Sequence, residues 1–180
     1  TLAAKASLAE VYYRAGDNER AAGLYRQVLC NRNKLAVRDS VNIECVHGLA
    51  NTLESLGNYG EAAQLLSKTL DGIPESTGRN DLFAGMTLLN LSGKLMADGD
   101  LESAEVAIAR GNEVLASMCD GEHPWLLTGM VARSSLLWTR GDYTAAESSI
   151  RHVLAADRFG LTVGNRCMSL NMLGVILRDA

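Results

Sequence analysis

A chain of 180 residues with 47% hydrophobic residues, two prolines and two phenylalanines has the balance of a helical protein and excludes a β-rich one. Its net charge of −4 comes without a run of lysine or arginine, which excludes electrostatic binding to nucleic acid or an anionic membrane. No apolar stretch approaches the roughly 18 residues of a membrane span and no signal-peptide pattern opens the chain, so a cytoplasmic protein is expected.

Residues 2 to 15 place Leu2, Ala4, Leu8, Ala9, Val11 and Tyr12 at spacings of three and four, which predicts one helical face. Gly16 ends that helix, and Asp17 or Asn18 can cap the next one, which carries Ala21, Leu24, Tyr25, Val28 and Leu29 to about Cys30. The polar stretch Asn31 to Lys34 reads as a connection. A second pair follows, with Val46, Leu49, Ala50 and Leu53 before Gly57, and Ala62, Leu65, Leu66 and Leu70 after it. Gly72, Pro74, Ser76, Thr77 and Gly78 break the chain again. The third pair has Leu88, Leu91, Ser92 and Leu95, then Ala104, Ala107, Ile108 and Leu115, its second helix reaching about Met118. The fourth has Val131, Ser134 and Leu137, then Ala146, Ile150, Val153 and Leu154. Past Phe159-Gly160 a further first helix opens with Leu170, Leu173, Gly174 and Leu177.

Aligned on the turn glycines, which recur every 41 to 42 residues (16 to 57, 57 to 99, 99 to 141), the units share one pattern. Seven residues before the glycine stand Ala9, Ala50, Ser92 and Ser134, with Gly174 in the fifth unit. Four before it stand Tyr12, Leu53, Leu95 and Leu137. Five after it are Ala21, Ala62, Ala104 and Ala146, and nine after it Tyr25, Leu66, Ile108 and Ile150. Two antiparallel helices need a small residue where their backbones approach and a large one to fill the adjoining groove. Each unit therefore encodes a helical hairpin that stacks on copies of itself. The alignment also removes an adhesion reading of Arg140-Gly141-Asp142: that glycine reverses the chain and Asp142 caps a helix.

These residues resemble the tetratricopeptide repeat, whose small, large, turn-glycine and alanine pattern all four complete units match. The interval exceeds the roughly 34 residues of the ordinary repeat. That interval, the linker Gly121-Glu122-His123-Pro124 and the pairs Leu89-Asn90 and Leu170-Asn171 resemble the kinesin-light-chain type. The His-Pro occurs once, and Arg133 stands where other units have Leu8, Leu49 and Leu91, which requires a local register shift or a buried partner for the arginine. The expected fold is all-α, an α-α superhelix (solenoid) of stacked antiparallel hairpins with about nine helices. One array spans 1–180, expected to be a piece of a longer protein. Its repeats cover about 2–34, 42–74, 82–119 and 125–158, and the first helix of a fifth covers about 165–180.

Little catalytic chemistry is in view. His47, His123 and His152 have no trusted metal-ligand spacing, and there is no G-x-S-x-G, phosphate-binding glycine loop or paired-carboxylate motif. Cys30, Cys45, Cys119 and Cys167 are scattered and read as reduced thiols filling small apolar gaps. No enzyme, catalytic residue, metal or cofactor is expected. The expectation is a scaffold that binds a peptide or partner domain along the concave wall, which the family resemblance assigns to the first helices. The candidate binding residues are Glu10, Tyr13 and Arg14; His47, Asn51 and Glu54; Met86 and Asn90, with Gly93 beside them; Ser135, Trp138 and Thr139; and Asn171 and Arg178. Amides can hold an extended peptide backbone, and Tyr13, Trp138 and Met86 can anchor side chains. The few cations among them leave out the carboxylate clamp used by some family members. Alternatively, Tyr13 and Trp138 cover inter-repeat seams, Asn90 and Asn171 bond neighbouring helices, and Glu10, Arg14 and Glu54 are solvated charges. A second functional reading is an effector-sensing or oligomerisation segment of a multidomain signalling receptor or transcription regulator. The uncovered apolar face of Leu170, Leu173 and Leu177 predicts self-association through that end or a frayed final helix.

Overall fold

In a computed structural model the described residues are 1–32, 40–72, 82–118, 123–156 and 163–179. They fold into nine helices: α1 (Leu2–Arg14), α2 (Asn18–Arg32), α3 (Ser40–Ser55), α4 (Tyr59–Asp71), α5 (Leu82–Asp98), α6 (Leu101–Ala116), α7 (Pro124–Thr139), α8 (Tyr143–Ala155) and α9 (Val163–Asp179). By its contacts the chain divides into two units, Thr1–Arg79 and Asn80–Ala180. In the first, α1 pairs with α2 and α3 with α4, while α2 packs on α3. In the second, α5 pairs with α6 and α7 with α8, while α6 packs on α7 and α8 on α9. Each unit is thus an all-α stack of antiparallel hairpins.

The hairpin turns follow from one backbone requirement. Gly16, Gly57, Gly99 and Gly141 have φ of 82, 78, 90 and 81°, the left-handed region that only glycine enters without cost. Each turn closes in the same way. The N–H after the glycine donates to a carbonyl five residues back, as in Asp17 to Tyr12 (2.9 Å), Asn58 to Leu53 (2.8 Å), Asp100 to Leu95 (2.9 Å) and Asp142 to Leu137 (2.9 Å). The carbonyl acceptor is always the large residue four before the glycine, so one position serves both the turn and the groove. Side-chain caps then start the second helices: the carboxylates of Asp17, Asp100 and Asp142 accept from the N–H of Arg20, Ser103 and Ala145. Asn58 makes no such bond.

Small residues stand where the paired helices close on each other. Ala9, Ala50, Ser92 and Ser134 are each 0% exposed, and so are Ala21, Ala62, Ala104 and Ala146. Ser92 and Ser134 bond their own helix through Leu89 and Met130 carbonyls, which satisfies the buried hydroxyls. Five residues before each turn lies a position the repeat pattern does not single out. In the second unit it carries Leu136, which packs on Ala104 and Ile108 of the preceding hairpin. On α9 the matching Ile176 packs on Ala146 and Ile150. These are the seams that join one hairpin to the next.

Several sequence expectations change. Arg133 needs neither a register shift nor a buried partner: it is exposed, as is Leu8 at 45%, whereas Leu49 and Leu91 are buried. Val11 is 60% exposed and so lies off the buried face of α1. α2 runs on through Asn31 and Arg32, and α6 ends at Ala116. Cys45 is a buried filler, but Cys30 and Cys167 are exposed. The rest of the first connection, the breaker stretch from Pro74 to Gly78, Cys119 and Gly121-Glu122 lie outside the described residues. The remaining half of that linker does start a helix: His123 caps α7, its Nδ1 accepting from the Trp125 N–H at 3.3 Å, and Pro124 takes the first helical position.

Candidate partner-binding surface

In each unit the first helices lie beside one another: α1 touches α3, and α7 touches both α5 and α9.

In the first unit the candidates are Glu10, Tyr13 and Arg14 on α1 and His47, Asn51 and Glu54 on α3. Glu10 is already engaged. Arg14 Nε donates to one of its oxygens at 2.7 Å and the Tyr25 hydroxyl to the other at 2.9 Å. The bond from Arg14 holds the Glu10 carboxyl below the usual carboxylate range, against the opposing effect of partial burial. Burial, and next the bond to Glu10, push the Tyr25 hydroxyl well above the ordinary tyrosine value. Tyr25 belongs to α2 and crosses α3 at Gly48, where a Cβ would stand 2.5 Å from the ring's Cζ. Arg14, Glu10 and Tyr25 thus form a chain of bonds linking the first two helices. Tyr13 is half-buried, as are His47, Asn51 and Glu54, and the last three each have an interaction of their own.

In the second unit Met86 and Asn90 are half-buried on α5, with Gly93 one turn along. Among the described residues the Asn90 amide has no hydrogen-bond partner, so it is available to a ligand. Ser135 and Thr139 turn their hydroxyls back to Val131 and Ser135 carbonyls on their own helix, at 3.1 and 2.8 Å. Trp138 lies against the Ala146, Ile150 and Ile176 cluster, and its indole N–H donates to Asp179 at 2.9 Å. Arg178 donates to both oxygens of the same carboxylate, at 2.8 and 3.2 Å. The bonds from Arg178 first and Trp138 second hold Asp179 below the usual carboxylate range. The structure therefore brings Trp138 and Arg178 together through a residue the sequence reading did not include. Asn171 is exposed on α9.

Two residues that bond the candidates were missed as their partners, Tyr25 and Asp179. Tyr25 left a signal: a tyrosine where the sister hairpins have Leu66, Ile108 and Ile150 puts a hydroxyl at a buried position, and such a hydroxyl needs a partner. Asp179 left none, since its partner lies 41 residues away.

Among the described residues no group of three or more His, Cys, Asp or Glu side chains is placed to hold a metal ion. No helix among them is long and apolar enough to cross a membrane.

Residues 4–36 match the family model described as tetratricopeptide repeat. A crystal structure of a variant form of a Podosopora anserina putative kinesin light chain, with nearly identical TPR-like repeats, is similar at a TM-score of 0.76 and 20% identity. That alignment covers 99% of this chain and 85% of the other. BtubC (BKLC) from P. vanneervenii is similar at 0.74 and 21% identity, covering 96% of this chain and 70% of that one. The apo form of RapI is similar at 0.70 and 13% identity, covering 97% and 69%. No curated protein matches the sequence. These likenesses carry the fold: an all-α solenoid of TPR-like hairpins.

Proposed function

We propose that this chain, a tetratricopeptide-repeat protein of the kinesin-light-chain-like type, is a non-catalytic scaffold that binds a peptide or partner domain on the side that the first helices share within a unit. The observation that supports this most is the contact of first helix with first helix in each unit, which lines up side chains from successive hairpins. An extended ligand meets such a row at regular intervals, as stacked repeats allow. In the first unit the row offers Tyr13, His47, Asn51 and Glu54 to a ligand, with Glu10 and Arg14 as a paired charge. In the second it offers Met86, Asn90, Ser135, Thr139 and Asn171, with Trp138 and Arg178 fixed at its edge by Asp179. Asn90 is the residue best suited to hold a peptide backbone, because its amide is half-buried on a rigid helix and its bonds are not already spent on the protein.

The test is a peptide selected on the intact chain from a random library, titrated by calorimetry against variants. Asn90→Ala is expected to weaken binding about tenfold or more. Val106→Ala, at a position 67% exposed on the second helix α6, should leave it unchanged. Equal affinity of Asn90→Ala and the parent chain for every selected peptide would contradict the assignment.

A further inference from the structure

Glycine inside a helix destabilises it relative to alanine, so each such glycine calls for a reason. Gly48 faces the Tyr25 ring, Gly85 the Leu115 side chain, Gly111 the Gly85 carbonyl and Leu89, and Gly129 the Asn112 side chain, and none of these leaves ordinary room for a Cβ. Gly93 on α5 is different. A Cβ there would meet nothing within 4 Å, and its φ is not in the left-handed region. Neither the packing nor the backbone of the free chain asks for glycine at this place, where the other first helices carry Glu10, Asn51, Ser135 and Val175. Gly174 and Gly23 have the same open surroundings, but Gly174 takes the small place of the repeat and Gly23 lies on a second helix, α2.

The surroundings of Gly93 offer a ligand no charge. α5 has two charged residues: Lys94 is 4% exposed and has an interaction of its own, and Asp98 is the last residue of the helix. Asn90 lies one turn before Gly93 on the same face, half-buried and without a hydrogen-bond partner among the described residues. Met86 is half-buried one turn before that. Met96, one turn after Gly93, packs with Ala132 of α7 on one cluster, so Gly93 stands close to where α5 meets α7.

We infer that Gly93 is a specificity-determining residue of the second unit's surface, which takes an uncharged peptide segment with a large apolar side chain lying over Gly93. This rests on the peptide-binding reading above and adds which peptides are taken. Glycine leaves the α5 backbone bare, so a ligand approaches it more closely than any other residue would allow. Asn90 and Gly93 are three residues apart on one face, so a peptide residue whose backbone the Asn90 amide holds brings its side chain over the glycine. A charged side chain there would lose water and gain no partner. An apolar one is met by Met86, whose flexible thioether adapts to its shape.

The probe is a peptide selected from a random library on the intact chain, titrated by calorimetry. Gly93→Ala and Gly23→Ala should each raise the urea midpoint of the chain, because alanine favours the helix and meets nothing at either place. Gly93→Leu should weaken peptide binding about tenfold or more. Gly93→Ala should weaken it in the same direction by less, and Gly23→Ala should leave it unchanged. Replacing the peptide's large apolar residue by lysine should weaken binding about tenfold or more as well. Full affinity of the Gly93→Leu chain, where Asn90→Ala weakens binding, would overturn this inference and leave the wider reading standing; full affinity of both variants would overturn the two together. Full affinity of the lysine-substituted peptide would overturn the inference too. So would a lowered urea midpoint for Gly93→Ala, because the space over the glycine would then already be filled.

Discussion

An Ile150→Ala variant is expected to lose about 2 to 5 kcal/mol of stability. Ile150 is 0% exposed and sits with Ala146 and Ile176 in a cluster against which Val131, Leu137, Trp138, Tyr143, Met172 and Leu173 pack. It is therefore common to the α7–α8 hairpin and to the seam with α9. Truncation removes three heavy atoms from a site whose neighbours are backbone-anchored helices, so the cavity cannot close. In a stacked array the loss falls on two interfaces at once. Urea unfolding followed by circular dichroism measures it, with Val106→Ala, at a position 67% exposed, as a control expected within about 0.5 kcal/mol of the parent. A loss below about 1 kcal/mol for Ile150→Ala would show that the seam is not packed as described.

Gly48→Ala is the second large effect, and its sign depends on its neighbour. A Cβ there would lie 2.5 Å from Cζ and 2.6 Å from the hydroxyl oxygen of Tyr25. The ring is 3% exposed and anchored by its bond to Glu10, so it cannot swing aside without losing that bond. The expected cost is about 1 to 3 kcal/mol. In a Tyr25→Ala background the obstruction is gone, and alanine's better helix propensity should make the same substitution neutral or stabilising by up to about 1 kcal/mol. A double-mutant cycle in denaturant reads the difference. If Gly48→Ala costs the same in both backgrounds, the close approach of Tyr25 to α3 is not what selects glycine at position 48.

The parts of this fold that could be read from the sequence are those set by a single residue's own chemistry. Left-handed glycines, carboxylate caps and the small residues at 9, 50, 92 and 134 each answer a local demand that recurs, so four copies expose it. The seam positions were not legible. Thr52, Leu136 and Ile176 share one place in the repeat but differ in type, and Val11, in that same place, is 60% exposed. What that position needs is set by whatever packs beside the hairpin. The same reasoning explains Arg133, where the fourth hairpin leaves open to water a position that the second and third bury. For the candidate surface, the spacing placed side chains on the right helices but could not tell a spare group from an occupied one. Glu10 is taken up by Arg14 and Tyr25, and Trp138 by Asp179, because partners arrive from other helices or other turns; Asn90 stays without a partner among the described residues.

Amide hydrogen exchange on the chain with and without a selected peptide tests the central claim most directly, since it reports which helices a ligand shields. Binding on the side that α5 and α7 share in the second unit predicts added protection in those two helices, concentrated around Asn90 and Ser135, with α6 and α8 unchanged. Protection gained on α2, α6 or α8 while the first helices exchange as before would contradict it.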